Sequence, residues 1–419
     1  MPRRPSDHRS PSKPATRRSN GDRQASGSLN AHGSLRGLLA SKEIVICCGP
    51  GGVGKTTIAA SIATMAALRQ DGKVLVLTID PARRLADTLG LSAVVGSAEH
   101  QVPKEAFSTA AGIPRGELWA AMLDTKESWD ALVRRHSPNK RIASQILSNN
   151  LYQSIAGQFV QSHDYIAMER LFEIHSEGKY DLIVVDTPPS RHALDFLDAP
   201  KRMEDFFSSR LLRWLTVPYR SRFVGIASRP FYQVADKILG TQFLGDIVEL
   251  FTLFQSMYSG FVERARSVNA LLHDERTTFV VASTLESVPL REAQFFASLL
   301  EERGFDLGAV VLNKALPRYL RDPAAAKAAQ LMSADPAGLA RHLAGCTRAG
   351  ATEPDEDTLR RVIGEVADSF RNFQVLAERE MAQEASMTTT AKAVVIAPSL
   401  DADVCNLEGL TALGEHILG

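Results

Sequence analysis

Short, continuously apolar runs recur along the chain: EIVICC (43–48), KVLVLTID (73–80), YDLIVVD (180–186), TTFVVAS (277–283), LGAVVLN (307–313) and AKAVVIAP (391–398). They are rich in β-branched residues and do not alternate with polar ones, the pattern of strands covered on both faces in a parallel sheet. Helical periodicity fills the intervals, for instance over 55–70, 160–177 and 289–303. This order predicts an α/β fold, an open and mostly parallel sheet flanked by helices on both sides. Two helical stretches, about 117–177 and 202–272, exceed what a crossover needs and predict an inserted α-helical lobe. Residues about 317–356 are rich in Ala, Pro and Gly with scattered charge, so an irregular insertion or exposed hairpin is expected there.

Composition changes this picture mainly at the N-terminus. The 419-residue chain has 48 basic and 48 acidic side chains. Residues 1–40 carry eight Lys/Arg against two Asp, so +6, which leaves −6 for the remainder. Residues 1–38, Pro/Ser/Arg-rich and nearly without large apolar side chains, are expected to be a disordered basic tail. Residues 39–419 form the expected single large domain. The tail lacks the apolar stretch of a secretory signal, and its prolines oppose an amphipathic transit helix. A basic tail of this kind is more often a solvated face than a nucleic-acid contact, so nucleic acid is not an expected partner. The best apolar stretch, 244–262, is interrupted by Asp246 and Glu249, so no membrane span is expected. The expected location is the cytoplasm, with peripheral membrane contact a further option. Four cysteines occur, Cys47, Cys48, Cys346 and Cys405, with no C-x-x-C, so no zinc site is expected.

The chemistry begins at CCGPGGVGKTT (47–57), which reads G-x-x-x-x-G-K-T from Gly49. It follows one predicted strand and opens a predicted helix, the context in which such a loop cradles phosphate. Gly51, Gly52, Val53, Gly54, Lys55, Thr56 and Thr57 are the candidate nucleotide-binding set. Backbone N–H groups and the positive helix end face phosphate oxygens. Lys55 reaches the β/γ-phosphates, and the Thr56 hydroxyl is a candidate Mg²⁺ ligand. Asp80 and Asp186 end two further apolar runs, at the carboxyl edge where ligands of open α/β sheets collect. An aspartate there holds Mg²⁺ or orients the water that attacks the γ-phosphate. Lys55, Asp80 and Asp186 are therefore the candidate catalytic residues, and Thr56 and Asp186 the candidate metal ligands. Pro81, Pro188 and Pro189 turn the segments after the two aspartates into loops. In NKAL (313–316), Leu316 stands where a guanine-reading loop needs a carboxylate. Asn313 can still both donate to and accept from adenine, so ATP is the expected nucleotide.

These motifs resemble the arsenical-pump ATPase (ArsA-like) family, which includes the ATPase that targets tail-anchored membrane proteins. GGVGKTT (51–57), TIDPARRLADTLG (78–90) and VVDTPPSRHALDFL (184–197) carry the resemblance. VLNKALP (311–317) and APSLDADVCNLEGLTALGEHI (397–417) match more weakly. The resemblance implies a P-loop NTPase domain, an Asp80 switch that orients water, an Asp186 switch and a base-reading Asn313. It also implies a dimer closing around two nucleotides, either a homodimer or a heterodimer with a paralogous ATPase. One departure is Pro50, where the family usually has a lysine that reaches the partner's phosphates. Neutralisation then falls to Arg83, Arg84 or Arg191, or to a different subunit. Three functions are implied: a dimeric ATPase whose helical lobe holds an apolar client, the ATPase subunit of an anion or metalloid pump, and a partition or positioning ATPase. The large lobe favours the first, with a hydrophobic protein client or a membrane partner. Phe243, Leu244, Ile247, Phe251, Phe254 and Met257 or Tyr258 form one apolar helical stripe there. Phe206, Phe207, Leu211, Trp214, Phe223, Phe231 and Tyr232 add more apolar surface than one helical pair easily buries.

Overall fold

Alternate residues of each central strand enter opposite apolar layers, which is why the strands read as unbroken hydrophobic runs. In β1 (Ile44–Cys48), Ile44, Ile46 and Cys48 join one buried cluster, while Val45 and Cys47 join a second on the other face. The same division holds in β2 (Lys73–Thr78) and β5 (Leu182–Asp186). The computed structural model describes residues 35–79, 84–91, 98–107, 112–155, 163–188, 198, 201–202, 205, 241–344 and 355–419.

The remaining strands are β3 (His100–Gln101), β4 (Glu117–Met122), β6 (Thr277–Thr284), β7 (Leu307–Ala315) and β8 (Ala393–Pro398). They form one eight-stranded sheet in the order β3-β4-β2-β5-β1-β6-β7-β8. Only the short β3–β4 pairing is antiparallel. β1 thus sits between strands from two halves of the chain, and the crevice at its carboxyl end is where such a sheet receives a ligand.

The first helices are α1 (Leu35–Leu39), α2 (Lys55–Arg69) and α3 (Arg84–Thr88). Next come α4 (Thr125–His136), α5 (Lys140–Ser148), α6 (Asn150–Ile155) and α7 (His163–Ser176). After β5 follow α8 (Thr241–Gln255), α9 (Tyr258–Leu272) and α10 (Ser287–Glu302). The last are α11 (Pro323–Ala334), α12 (Pro336–Ala344), α13 (Glu356–Ser386) and α14 (Leu407–Leu418). α2 and the C-terminal α14 cover one face of the sheet, and α4, α7, α9 and α10 supply the core of the other. α4–α7 and α8–α9 pack together, Tyr152 of α6 against Phe254 of α8 and Tyr165 of α7 against Phe261 of α9. Asn149 ties the two groups, accepting from the amides of Leu151 and Tyr152 and donating to the Asp246 carbonyl at 3.4 Å. Among the described residues, no helix is long and apolar enough to cross a membrane.

Three expectations need correction. Residues 117–122 form β4 rather than the start of a helical stretch. ELWAAM has helix-favouring residues, but pairing with β2 along its whole length overrides local preference. The region 317–344 is not irregular: a 3-10 turn (Arg318–Arg321) leads into α11 and α12, which pack on α13. Pro323 and Pro336 open these helices at the first turn, where a missing N–H costs nothing. Finally, the expected tail overran the fold, since Leu35–Leu39 form α1 with Leu35 and Leu39 buried.

Candidate active site

The chain leaves β1 at Cys48, crosses Gly49 to Gly54 and enters α2 at Lys55. A side chain at Gly49 would overlap the Ala282 carbonyl of β6, so only glycine lets the loop leave between the strands. Gly54 caps α2 in the left-handed region at φ 91°, and an added Cβ would sit 2.5 Å from Asn313 Nδ2. Gly54→Ala is therefore expected to break the loop geometry and lower affinity for a fluorescent ATP analogue, with the fold retained by circular dichroism. The left-handed backbone alone costs an alanine about 1–2 kcal/mol.

Lys55 is 7% exposed, and its Nζ donates to the Pro50 carbonyl at 2.8 Å. Pro50 thus supplies an acceptor that holds the lysine over the loop. Thr56, next in the helix, donates from Oγ1 to Asp186 Oδ2 at 2.7 Å. Thr78, at the end of β2, donates to the same oxygen at 3.1 Å. Asp186 is fully buried at the end of β5, so both hydroxyls serve a desolvated carboxylate. A hydroxyl and a carboxylate in contact are the hard oxygen donors that Mg²⁺ accepts. Thr187 extends the connection, donating to the Cys47 carbonyl at 2.9 Å.

From the other side, β7 delivers Asn313 and Lys314. Asn313 is 4% exposed, and its Nδ2 donates to the Val53 carbonyl at 2.9 Å. One amide donor is therefore engaged by the loop. Lys314 adopts φ 57°, the one left-handed non-glycine among the described residues, and its Nζ lies 3.3 Å from the Gly52 carbonyl. Leu316 turns away, its N–H donating to Glu380 of α13 at 2.9 Å. A cavity of about 900 Å³ joins these pieces. Gly51, Gly52, Gly54, Lys55, Thr56 and Thr57 line one part, Asn313 and Lys314 another, with Asp87 and Thr88 of α3 close by. Ser399, Leu400, Asp403 and Cys405, between β8 and α14, complete the wall.

The sequence alone assigns no individual role to Lys314 or to the 399–405 segment. The dipeptide Asn-Lys and the weak C-terminal match were the available signals. Asp80, Arg83 and Arg191 lie outside the described residues, as does the side chain of Arg84. Cys47 and Cys48 are buried strand residues. Burial pushes both thiols well up, and for Cys47 the neighbouring Asp186 adds to the effect. Neither is a thiolate at neutral pH.

In the helical region, Leu250 and Met257 are core, and the half-buried Phe251 and Phe254 pack against it. The apolar residues at 206–232 lie outside the described residues, as do the side chains of Phe243, Leu244 and Tyr258.

Comparison with known proteins gives the family. Residues 42–333 match the family model described as Anion-transporting ATPase. An ATPase ASNA1 homolog of Entamoeba dispar is 25% identical over 301 residues, 69% of this chain and 82% of that protein. An ATPase GET3 of Malassezia globosa is 25% identical over 289 residues, 68% of this chain and 76% of that one. An inferred arsenical pump-driving ATPase of Aquifex aeolicus is 26% identical over 290 residues, covering 66% and 64%. With the phosphate-loop geometry, the buried aspartate and a family match over most of its length, this chain belongs to the anion-transporting ATPase (ArsA) family and is an ATPase.

Proposed function

We propose that the chain is a dimeric ATPase in which the nucleotide state sets the shape of a helical, client-binding region. The observation that carries this reading is the Thr56–Asp186 contact, which joins the start of α2 to the end of β5 across 130 residues of sequence. Lys55 and the loop amides from Gly51 to Thr57 hold the ATP phosphates, and Thr56 and Asp186 hold Mg²⁺. The metal, when bound, neutralises charge on the β- and γ-phosphates. Asp80 orients the attacking water, and Asn313 takes the adenine edge. Asp186 ends β5, ahead of α8 and α9 in the sequence, and a change at its carboxylate is passed on to that helical region. The surface that changes is apolar and takes a hydrophobic segment of a client protein.

The reading is tested with an environment-sensitive apolar dye and an apolar helical peptide, in ADP and in a non-hydrolysed ATP analogue. Dye fluorescence and peptide capture are expected to differ between the two states. Identical behaviour in both would remove client coupling from the proposal.

The dimer is formed by two copies or by this chain and a paralogue. Pro50 makes the distinction measurable, because it supplies no cation to a partner's phosphates. Turnover by the purified chain alone supports a homodimer with another cation in trans. A nearly idle chain, activated on mixing with a lysine-bearing paralogue, supports the heterodimer. The Aquifex relative's name raises a metalloid-pump reading. Cys47 and Cys48, buried and protonated, offer no thiolates for it, and among the described residues that leaves Cys405 alone, fewer than a multi-thiolate site needs, so arsenite is expected to leave ATP turnover unchanged.

A further inference from the structure

α13 has two apolar rows, and among the described residues only one of them is buried. Ile363, Ala367 and Ala377 are buried, on a helix that packs against α11 and α12. One position before each of these lies a second row: Val362, Val366 and Leu376, with Phe373 completing it. All four are 45–50% exposed. Their spacing of four, seven and three residues, with Ser369 between Val366 and Phe373, is the four–three step of a coiled-coil seam. Glu380, the next position of that row, is taken up within the chain by the Leu316 amide and by Arg321, so the seam ends at Leu376. The helix also lies beyond the residues shared with the family model, which stop at 333.

We propose that this row is a self-association surface, on which α13 of a second copy packs antiparallel. The direction follows from what flanks the seam. On one side, positions 363, 370 and 377 lean toward the chain's own helices, so a partner approaches from the other side, occupied by Glu365, Asn372 and Arg379. In an antiparallel pair those positions face their own counterparts across the two-fold axis. Val366 then meets the partner's Leu376, and Ser369 meets the partner's Phe373. Glu365 lies beside the partner's Arg379, and the two-fold axis makes that attractive pair twice. A parallel pair would instead set Glu365 toward the partner's position 370, which its own subdomain occupies. The seam from Val362 to Leu376 is about 21 Å long at 1.5 Å per residue. That is short for a stable interface, so the association is weak and is populated at high protein concentration.

Sedimentation velocity of the full chain over a concentration series, without nucleotide, tests this. A reversible monomer–dimer equilibrium is expected. Phe373→Glu should weaken it more than tenfold, with helicity unchanged by circular dichroism. Glu365→Arg and Arg379→Glu should each weaken it roughly threefold to tenfold, and the double exchange should restore it. A chain that stays monomeric at every concentration would overturn the proposal. So would a dimer indifferent to Phe373→Glu, or a double exchange no better than either single one. Because no nucleotide is present, failure here leaves the ATP-dependent dimer of the proposed function unaffected.

Discussion

Lys55→Ala is expected to lower ATP affinity by roughly 10²-fold or more, the effect of truncating one partner of a largely desolvated charge pair. The lysine is 7% exposed and held over the phosphate loop through the Pro50 carbonyl, so it is set in place before any phosphate arrives. Asp80→Asn should behave differently. The phosphate contacts remain, so ATP still binds, while turnover falls ~10²-fold or more as the water-orienting carboxylate is lost. Equilibrium binding of a fluorescent ATP analogue, measured beside single-turnover hydrolysis, separates the two. Equal loss of binding in both variants would remove the role proposed for Asp80.

Asp186→Asn is expected to raise the Mg²⁺ concentration needed for half-maximal turnover by roughly 10- to 100-fold, a range seen when groups that hold or orient a metal are replaced. The amide keeps an oxygen for Thr56 or Thr78 but carries no charge. A neutral amide costs less to bury than a carboxylate and keeps an acceptor for one of the two hydroxyls, so the thermal transition should change little. The test is a Mg²⁺ titration of ATP turnover, with a melting curve run in parallel. An unchanged Mg²⁺ requirement would remove Asp186 from the metal site. A collapse of the melting transition would instead assign it a structural role at the meeting of β2, β5 and α2.

Much of this architecture was legible because burial on both faces leaves a simple trace. The six apolar runs all became strands of the main sheet, with ends shifted by one or two residues. β4 escaped because it lies near the sheet edge: Trp119 is only partly covered, and its Ala and Met neighbours suit a helix equally well. α11 and α12 escaped because Ala, Pro and Gly richness with scattered charge predicts an irregular segment, although a proline at the first turn starts a helix. The site divides in the same way. The glycine loop declared itself, since all its groups are contiguous and the backbone geometry they need is local. Asn313 was singled out for its amide, yet its bond to the Val53 carbonyl, 260 residues away, could not be read from spacing.

By itself, then, the sequence determined six of the strands, the phosphate loop and the aspartate that ends β5, because each depends on neighbours in the chain. Tertiary structure alone decided that Thr56 and Thr78 share one oxygen of Asp186, and that Lys55 rests on Pro50. It also decided that Lys314 lies against the loop and that one apolar row of α13 stays half exposed. These contacts depend on which strands become neighbours. That order, with β1 set between β5 and β6, is chosen by the packing of the whole sheet.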